Sequence, residues 1–193
     1  MATVLKILAF TGSMRKGSYN RKLVRIAARA ALGAGVDVTE IELRDLPMPV
    51  YDGDLEAESG LPQNARKLKD LMKVHAGFLI ASPENNSSVS AALKNAIDWA
   101  SRPEPDEPPL VCFTGKTAAI MSASPGGIGG LRGLVHLRAI LGNIGVLVLP
   151  DQKAVPGAAG AFDDDGALKD PKQQEAIEKI GTKLATLIRK LHG

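Results

Sequence analysis

The sequence predicts an α/β fold: five strands alternating with five helices, forming a parallel sheet covered on both faces. Three observations lead there. Apolar runs of strand length recur along the chain, the segments between them repeat apolar residues every three or four positions, and the two kinds of segment alternate from end to end. Such alternation calls for parallel pairing with right-handed crossovers. A chain of 193 residues fits one domain, spanning 1–193.

Val4–Phe10 reads as the first strand and Asn20–Leu32 as the first helix, with Leu23, Ile26, Ala27, Ala30 and Ala31 on one face. Val36–Leu43 alternates apolar and polar side chains, as a half-buried edge strand does. Pro47 and Pro49 mark Arg44–Gly60 as a loop. Leu61–Val74 is helical, with Pro62 tolerated in the first turn. Gly77–Ser82 is the third strand and Val89–Ser101 the third helix, followed by an extended, proline-rich connector at Arg102–Leu110. Lys116–Ser122, Ile128–Leu141 and Val146–Leu149 read as strand, helix and strand. Asp151–Asp170 is a long loop, and Pro171–Leu191 is the closing amphipathic helix.

The most informative stretch is Gly12-Ser13-Met14-Arg15-Lys16-Gly17-Ser18-Tyr19-Asn20, at the junction of the first strand and first helix. Helix N-terminal N–H groups lack intrahelical partners, and the helix dipole favours negative charge there, so such a junction holds a phosphate readily. Ser13, Ser18 and Asn20 supply hydrogen-bond donors and Arg15 a planar cation, and Ser18 or Asn20 can also cap the helix. A surface ion pair is the rival role for Arg15. Two other phosphate loops are excluded after the first strand, since neither Gly-x-x-x-x-Gly-Lys-Ser/Thr nor Gly-x-Gly-x-x-Gly occurs there.

This loop resembles the Gly-Ser-x-Arg-x-x-Ser-x-Asn phosphate loop of the NAD(P)H-dependent FMN reductase family, which includes flavin, quinone, azo-dye and chromate reductases. Two further segments carry the resemblance in the same order. Ser82-Pro83-Glu84-Asn85-Asn86, with Leu93-Lys94-Asn95-Ala96-Ile97-Asp98-Trp99 after it, resembles the family's Pro-Glu-Tyr-Asn segment and following helix. Ser124-Pro125-Gly126-Gly127-Ile128-Gly129-Gly130 resembles its glycine-rich flavin loop. Asn85 stands where the family has Tyr, and Ser90-Ala91 where it has Pro-Gly. The first change removes a ring that would cover the flavin or shape access to it.

The resemblance implies a flavodoxin-like doubly wound sheet of order 2-1-3-4-5, with ligand beyond the carboxyl ends of the strands. The three segments follow the first, third and fourth strands and would converge there. It also implies FMN as cofactor and NADPH or NADH as co-substrate. The cofactor-binding set is then Ser13, Arg15, Ser18, Tyr19 and Asn20 on the phosphate; Pro83, Glu84, Asn85 and Asn86 along the ring edge; and Ser124, Gly126, Gly127 and Gly129 near the ring. Glycine in the last set removes a Cβ that would clash, and N–H groups there would steady negative charge on the ring's pyrimidine side. Glu84 reads as structural, and Asn85–Ser87 also fits a plain turn with a helix cap. No acid–base triad is expected. A hydride would pass from NAD(P)H through FMN to a small-molecule quinone, flavin, azo or similar acceptor by a ping-pong mechanism. Homodimers or homotetramers are implied, with the Val89–Ser101 helix as an interface element. A flavodoxin-type electron carrier and a non-enzymatic FMN sensor remain the alternatives.

Composition agrees with a soluble globular chain, at 45% hydrophobic and 23% charged residues. A net charge of +3 with dispersed Lys and Arg suits anionic ligands and gives no nucleic-acid footprint. The N-terminal apolar run is too short and too interrupted by Lys6 for a signal peptide, and no run spans a membrane, so a cytoplasmic setting is expected. Cys112 is the sole cysteine, which precludes an intrachain disulfide, and it reads as a loop or strand-edge residue rather than a nucleophile. His75, His136 and His192 lack metal-ligand spacing, and Asp163-Asp164-Asp165-Gly166 is a solvated turn rather than a calcium loop. Lys94 and Asp98 read as an ion pair within one helix, and Trp99 as core or interface. Arg132 and Arg138, near His136, suit either a dinucleotide phosphate or a partner's carboxylate.

Overall fold

In the computed structural model, which describes residues 5–192, hydrophobic burial on two faces of one sheet organises the chain. In order, the elements are β1 (Lys6–Thr11), α1 (Tyr19–Gly33), β2 (Asp37–Glu42), α2 (Gly53–Ser59), α3 (Gln63–Val74), β3 (Gly77–Ala81), β4 (Glu84–Asn85) and β5 (Ser88–Val89). They continue with α4 (Ala91–Ala100), β6 (Thr117–Ala123), α5 (Leu131–Asn143), β7 (Leu147–Val155), α6 (Ala158–Ala161) and α7 (Pro171–His192). The main sheet has the order β2-β1-β3-β6-β7 with every pair parallel, and β4 and β5 form a separate antiparallel hairpin. Among its five strands in sequence this is the expected order 2-1-3-4-5.

Strand pleating divides the core in two. In β1, Ile7 and Ala9 join the layer under α1 and α7, while Leu8 and Phe10 join the layer under α3, α4 and α5. The central strands β3 and β6 are buried at every position, whereas β2 lies at an edge and is half-buried. Helices α1 and α7 cross so closely that a Cβ on Gly181 would run into the Ala27 carbonyl oxygen, so only glycine fits there.

Several boundaries differ from expectation. The Arg44–Gly60 region is not all loop: a 3-10 turn occupies Leu43–Asp45, and α2 is started by Asp52, whose side chain accepts from the N–H groups of Asp54 and Leu55. No residue of α2 is buried, so no apolar period announced it. The last strand runs beyond Leu149 to Val155. Its pairing with β6 shifts between Ala118↔Val148 and Ile120↔Gln152, and this bulge on an edge strand accommodates Pro150. The expected long loop at Asp151–Asp170 therefore contains the end of β7, the short α6 and a bridge between Phe162 and Leu168. The helix expected from Ile128 starts at Leu131, because Gly129 and Gly130 hold φ of 65° and 90°. The helix expected from Val89 starts at Ala91, capped by Ser90, and Val89 belongs to the hairpin. Asn86 and Ser87, with φ of 49° and 66°, form the two-residue turn between β4 and β5, a conformation that suits the strand twist. Val4 lies outside the described residues.

Candidate functional site

The carboxyl ends of β1, β3 and β6 each feed one of the three loops singled out in the sequence, and side chains fasten the loops to one another. Ser90 Oγ donates to the Gly12 carbonyl at 2.6 Å and accepts from the Leu93 N–H at 3.2 Å, so one hydroxyl caps α4 and ties the second loop to the first. The Asn20 amide donates to the Ala123 carbonyl at 2.8 Å and accepts from the Ala123 N–H at 2.9 Å, tying the first loop to the third. Glu84 accepts from the Gly133 N–H at 2.9 Å and pairs with Arg132 at 3.4 Å, tying the hairpin to the start of α5. Helix α5 has no acidic residue in its own first turn and no side-chain cap, so Glu84 complements its dipole from outside.

Within this triangle lies a cleft of about 140 Å³ lined by Ser13, Arg15, Ser18, Tyr19, Asn20, Pro83, Glu84, Asn85, Ala123, Ser124 and Pro125. Nine of the thirteen residues expected to hold a cofactor thus come together. Of the other four, Asn86 joins Asn85 in an adjoining groove of about 690 Å³, whose further lining includes Val89, Lys94, His136 and Ile140. Gly126 follows Ser124, whose Oγ accepts its N–H at 3.3 Å, and the space around Gly127 is open to 4 Å. Gly129 answers to the fold as well, since a Cβ there would lie within 2.7 Å of the Val155–Pro156 backbone.

The donor set of the cleft is one-sided. Ser18 caps α1 by accepting from the Arg21 N–H at 3.2 Å, which leaves its hydroxyl proton to donate. Arg15 is exposed and makes no ion pair among the described residues, so the surface-pair role is not seen for it. The first turn of α1 carries no acid. Glu84 is the one acidic residue of the lining, and its carboxylate is engaged at α5. Two hydroxyls and a guanidinium at a helix N-terminus, without a competing carboxylate, fit a phosphate group.

Other candidates fall elsewhere. Cys112 is fully buried in a turn, and burial pushes its thiol up to about 11, so it is no nucleophile at neutral pH. Trp99 is core, with its indole N–H on the Pro49 carbonyl and its ring edge-on to Tyr51. Lys94 and Asp98 pair within α4 at 2.7 Å. Arg138 grips Gln152 and the carbonyls of Val148 and Pro150 at the bulge of β7, and Nδ1 of His136 is 2.9 Å from Ser88 Oγ. Burial holds His75 below the usual histidine range, with its ring nitrogens on the Leu71 carbonyl and Thr39 Oγ. No metal-ligating cluster occurs among the described residues, the Asp163–Asp165 turn included, and none of their helices is long and apolar enough to cross a membrane. Sequence reasoning missed Ser90, Arg21 and the tether role of Asn20. Ser90 carried a signal: it is the departure from Pro-Gly, and a proline there would supply neither hydrogen bond.

Together the fold and the cleft define a flavodoxin-like nucleotide-binding α/β protein. The sequence profile described as NADPH-dependent FMN reductase matches residues 5–160. An NAD(P)H-dependent FMN reductase of Pseudomonas aeruginosa is 37% identical over 195 residues, covering 100% of both chains. An NAD(P)H:quinone oxidoreductase of Solanum tuberosum is 37% identical, covering 98% of this chain and 96% of the relative. The solved structure of FerB from Paracoccus denitrificans, described as a flavoenzyme NAD(P)H:(acceptor) oxidoreductase, superposes with a TM-score of 0.81 at 30% identity, over 98% of this chain and 100% of that one. The chain belongs to the NADPH-dependent FMN reductase family of oxidoreductases.

Proposed function

We propose that this chain, acting as a single domain, binds FMN non-covalently and uses NADPH or NADH to reduce small-molecule acceptors such as quinones, flavins or azo compounds. The observation that carries this reading is the donor cleft at the α1 N-terminus, whose one acid, Glu84, is already engaged at α5, and which shares Asn85 with the larger groove. FMN, when bound, supplies the hydride chemistry, accepting two electrons from the nicotinamide and releasing them to the acceptor. Ser13, Arg15 and Ser18 hold the phosphate. Asn20 acts mainly as the tether that sets the loop against Ala123, and Tyr19 closes the cleft beside it. Pro83, Glu84, Asn85 and Asn86 form the ring-edge wall, which Glu84 fixes through α5. Ser124, Gly126 and Gly127 let backbone N–H groups approach the ring, with Gly129 shaping the turn.

The groove beside Asn85 receives nicotinamide and acceptor in turn, the basis of a ping-pong cycle. Its apolar floor of Val89, Ala139 and Ile140 suits planar molecules. Asparagine at 85 leaves this mouth wider than a tyrosine would. Exposed Ile128, Leu131 and Val135 around the start of α5 support assembly as a homodimer or homotetramer. The lone, buried cysteine suits a reducing, cytoplasmic setting.

Anaerobic mixing of FMN-loaded protein with NADPH, followed by flavin absorbance, tests the reading. Loss of the oxidised band, restored by added quinone, is expected. Bound flavin that NADPH leaves oxidised contradicts it and points to an electron carrier or a sensor.

A further inference from the structure

We propose that Arg21 is the positioning residue of the phosphate loop, holding the Arg15–Gly17 turn so that its backbone N–H groups face the phosphate. This inference rests on the FMN reading above. Arg21 is the third residue of α1 and does not line the cleft. Its guanidinium lies against the loop, donating to the Lys16 carbonyl at 2.9 Å and the Arg15 carbonyl at 3.4 Å. The same group pairs with Glu42 at the end of β2. A cation in the first turn of a helix opposes the helix dipole, so charge preference alone does not explain an arginine here. Its terminal nitrogens meet all three acceptors, while the buried Nε has no partner. A lysine point charge lacks that fork.

The consequence for the loop follows from peptide geometry. In a trans peptide the N–H points opposite to the carbonyl of the same unit, and no cis bond occurs among the described residues. With the carbonyls of Arg15 and Lys16 drawn to Arg21, the N–H groups of Lys16 and Gly17 turn away from it. Neither N–H donates to any acceptor among the described residues. Ser13, Arg15 and Ser18 line the phosphate cleft, whereas Arg21 and Glu42 line a separate pocket against β1 and β2. Successive N–H groups arranged in this way form an anion-binding concavity, and Arg21 together with Glu42 supports its back.

The test compares two flavins that differ only in the phosphate. The full chain, freed of flavin, is titrated with FMN and with riboflavin by fluorescence quenching, for wild type, Arg21→Met and Glu42→Gln. Wild type prefers FMN. Arg21→Met weakens FMN binding by about tenfold and leaves riboflavin affinity unchanged, with its circular dichroism and melting curve showing a folded chain. Glu42→Gln, which keeps the guanidinium but removes its anchor, shows a smaller loss of FMN affinity only. FMN affinity in folded Arg21→Met within about twofold of wild type overturns the assignment, as does a parallel loss of both flavins, the mark of a general structural role. Equal wild-type affinity for the two flavins overturns the phosphate seat itself, a failure distinct from that of Arg21.

Discussion

Two polar clusters in this molecule invite comparison. One is the cleft at the carboxyl ends of β1, β3 and β6. The other anchors the proline-rich connector on the far side of α3, where the fully buried Lys69 donates to Glu107 at 2.5 Å and to the Arg102 carbonyl at 2.6 Å. Lys73 joins the same carboxylate at 2.8 Å, and Arg66 pairs with Glu104 at 2.7 Å. In the connector every one of these cations meets a carboxylate. In the cleft the hydroxyls and Arg15 meet none. Balanced charge holds structure, and the one-sided donor set in its fixed frame is the proposed seat of a ligand. Both clusters are polar and locally rich in charge, so the contrast between them lies in the balance of that charge, not in its amount.

Glu107→Gln tests the structural cluster. It takes from the buried Lys69 its closer carboxylate and leaves only Glu104 at 3.7 Å, so the loss should approach the roughly 3–5 kcal/mol that follows removal of one member of a buried pair. Denaturant unfolding should show that loss, with FMN affinity unchanged. Arg15→Ala should do the converse, lowering FMN affinity by about 100-fold through loss of a charge-assisted phosphate contact while the melting temperature stays the same. Asn20→Ala should move both readouts, because the tether is buried and leaves the Ala123 N–H and carbonyl unpaired. A destabilisation of about 1–3 kcal/mol is expected, with a smaller fall in FMN affinity than Arg15→Ala gives.

Stability also depends on pH. Lys69 and Lys73 hold the Glu107 carboxyl down to about 2, so its contribution is present above the ordinary glutamate range and lost as pH falls through that range towards 2. His75 is held low by burial, so the unfolded chain binds a proton before the folded one does. Its effect on stability is absent well above pH 6.5, and stability falls as the medium is acidified through that value. Melting curves between pH 8 and pH 5 should show the decline in wild type and a flatter profile in His75→Gln; identical profiles would contradict the assignment.

Much of this contrast was legible in the sequence, unevenly and for physical reasons. The strand-to-helix junction at Gly12–Asn20 was readable because an apolar strand run, a polar loop and a helical period follow one another locally. The sheet order required the resemblance, since periodicity does not distinguish neighbouring strands. Helix α2 was hidden because it buries nothing, and the extension of β7 because a bulge absorbs Pro150. The loop tethers were hidden for another reason. Ser90 and Gly12 lie 78 residues apart, and Asn20 and Ala123 103 apart, so only the folded sheet reveals that they meet. Glu84, read as structural from its chemistry, proved to be the acid that α5 lacks.

A crystal structure of the FMN complex examines the one-sided cleft most directly. The account predicts phosphate oxygens within hydrogen-bonding distance of the Ser13 and Ser18 hydroxyls and the Arg15 guanidinium, with Glu84 still on the Gly133 N–H. A phosphate seated in the groove between Asn86 and His136, with the α1 N-terminus left to solvent, would contradict it.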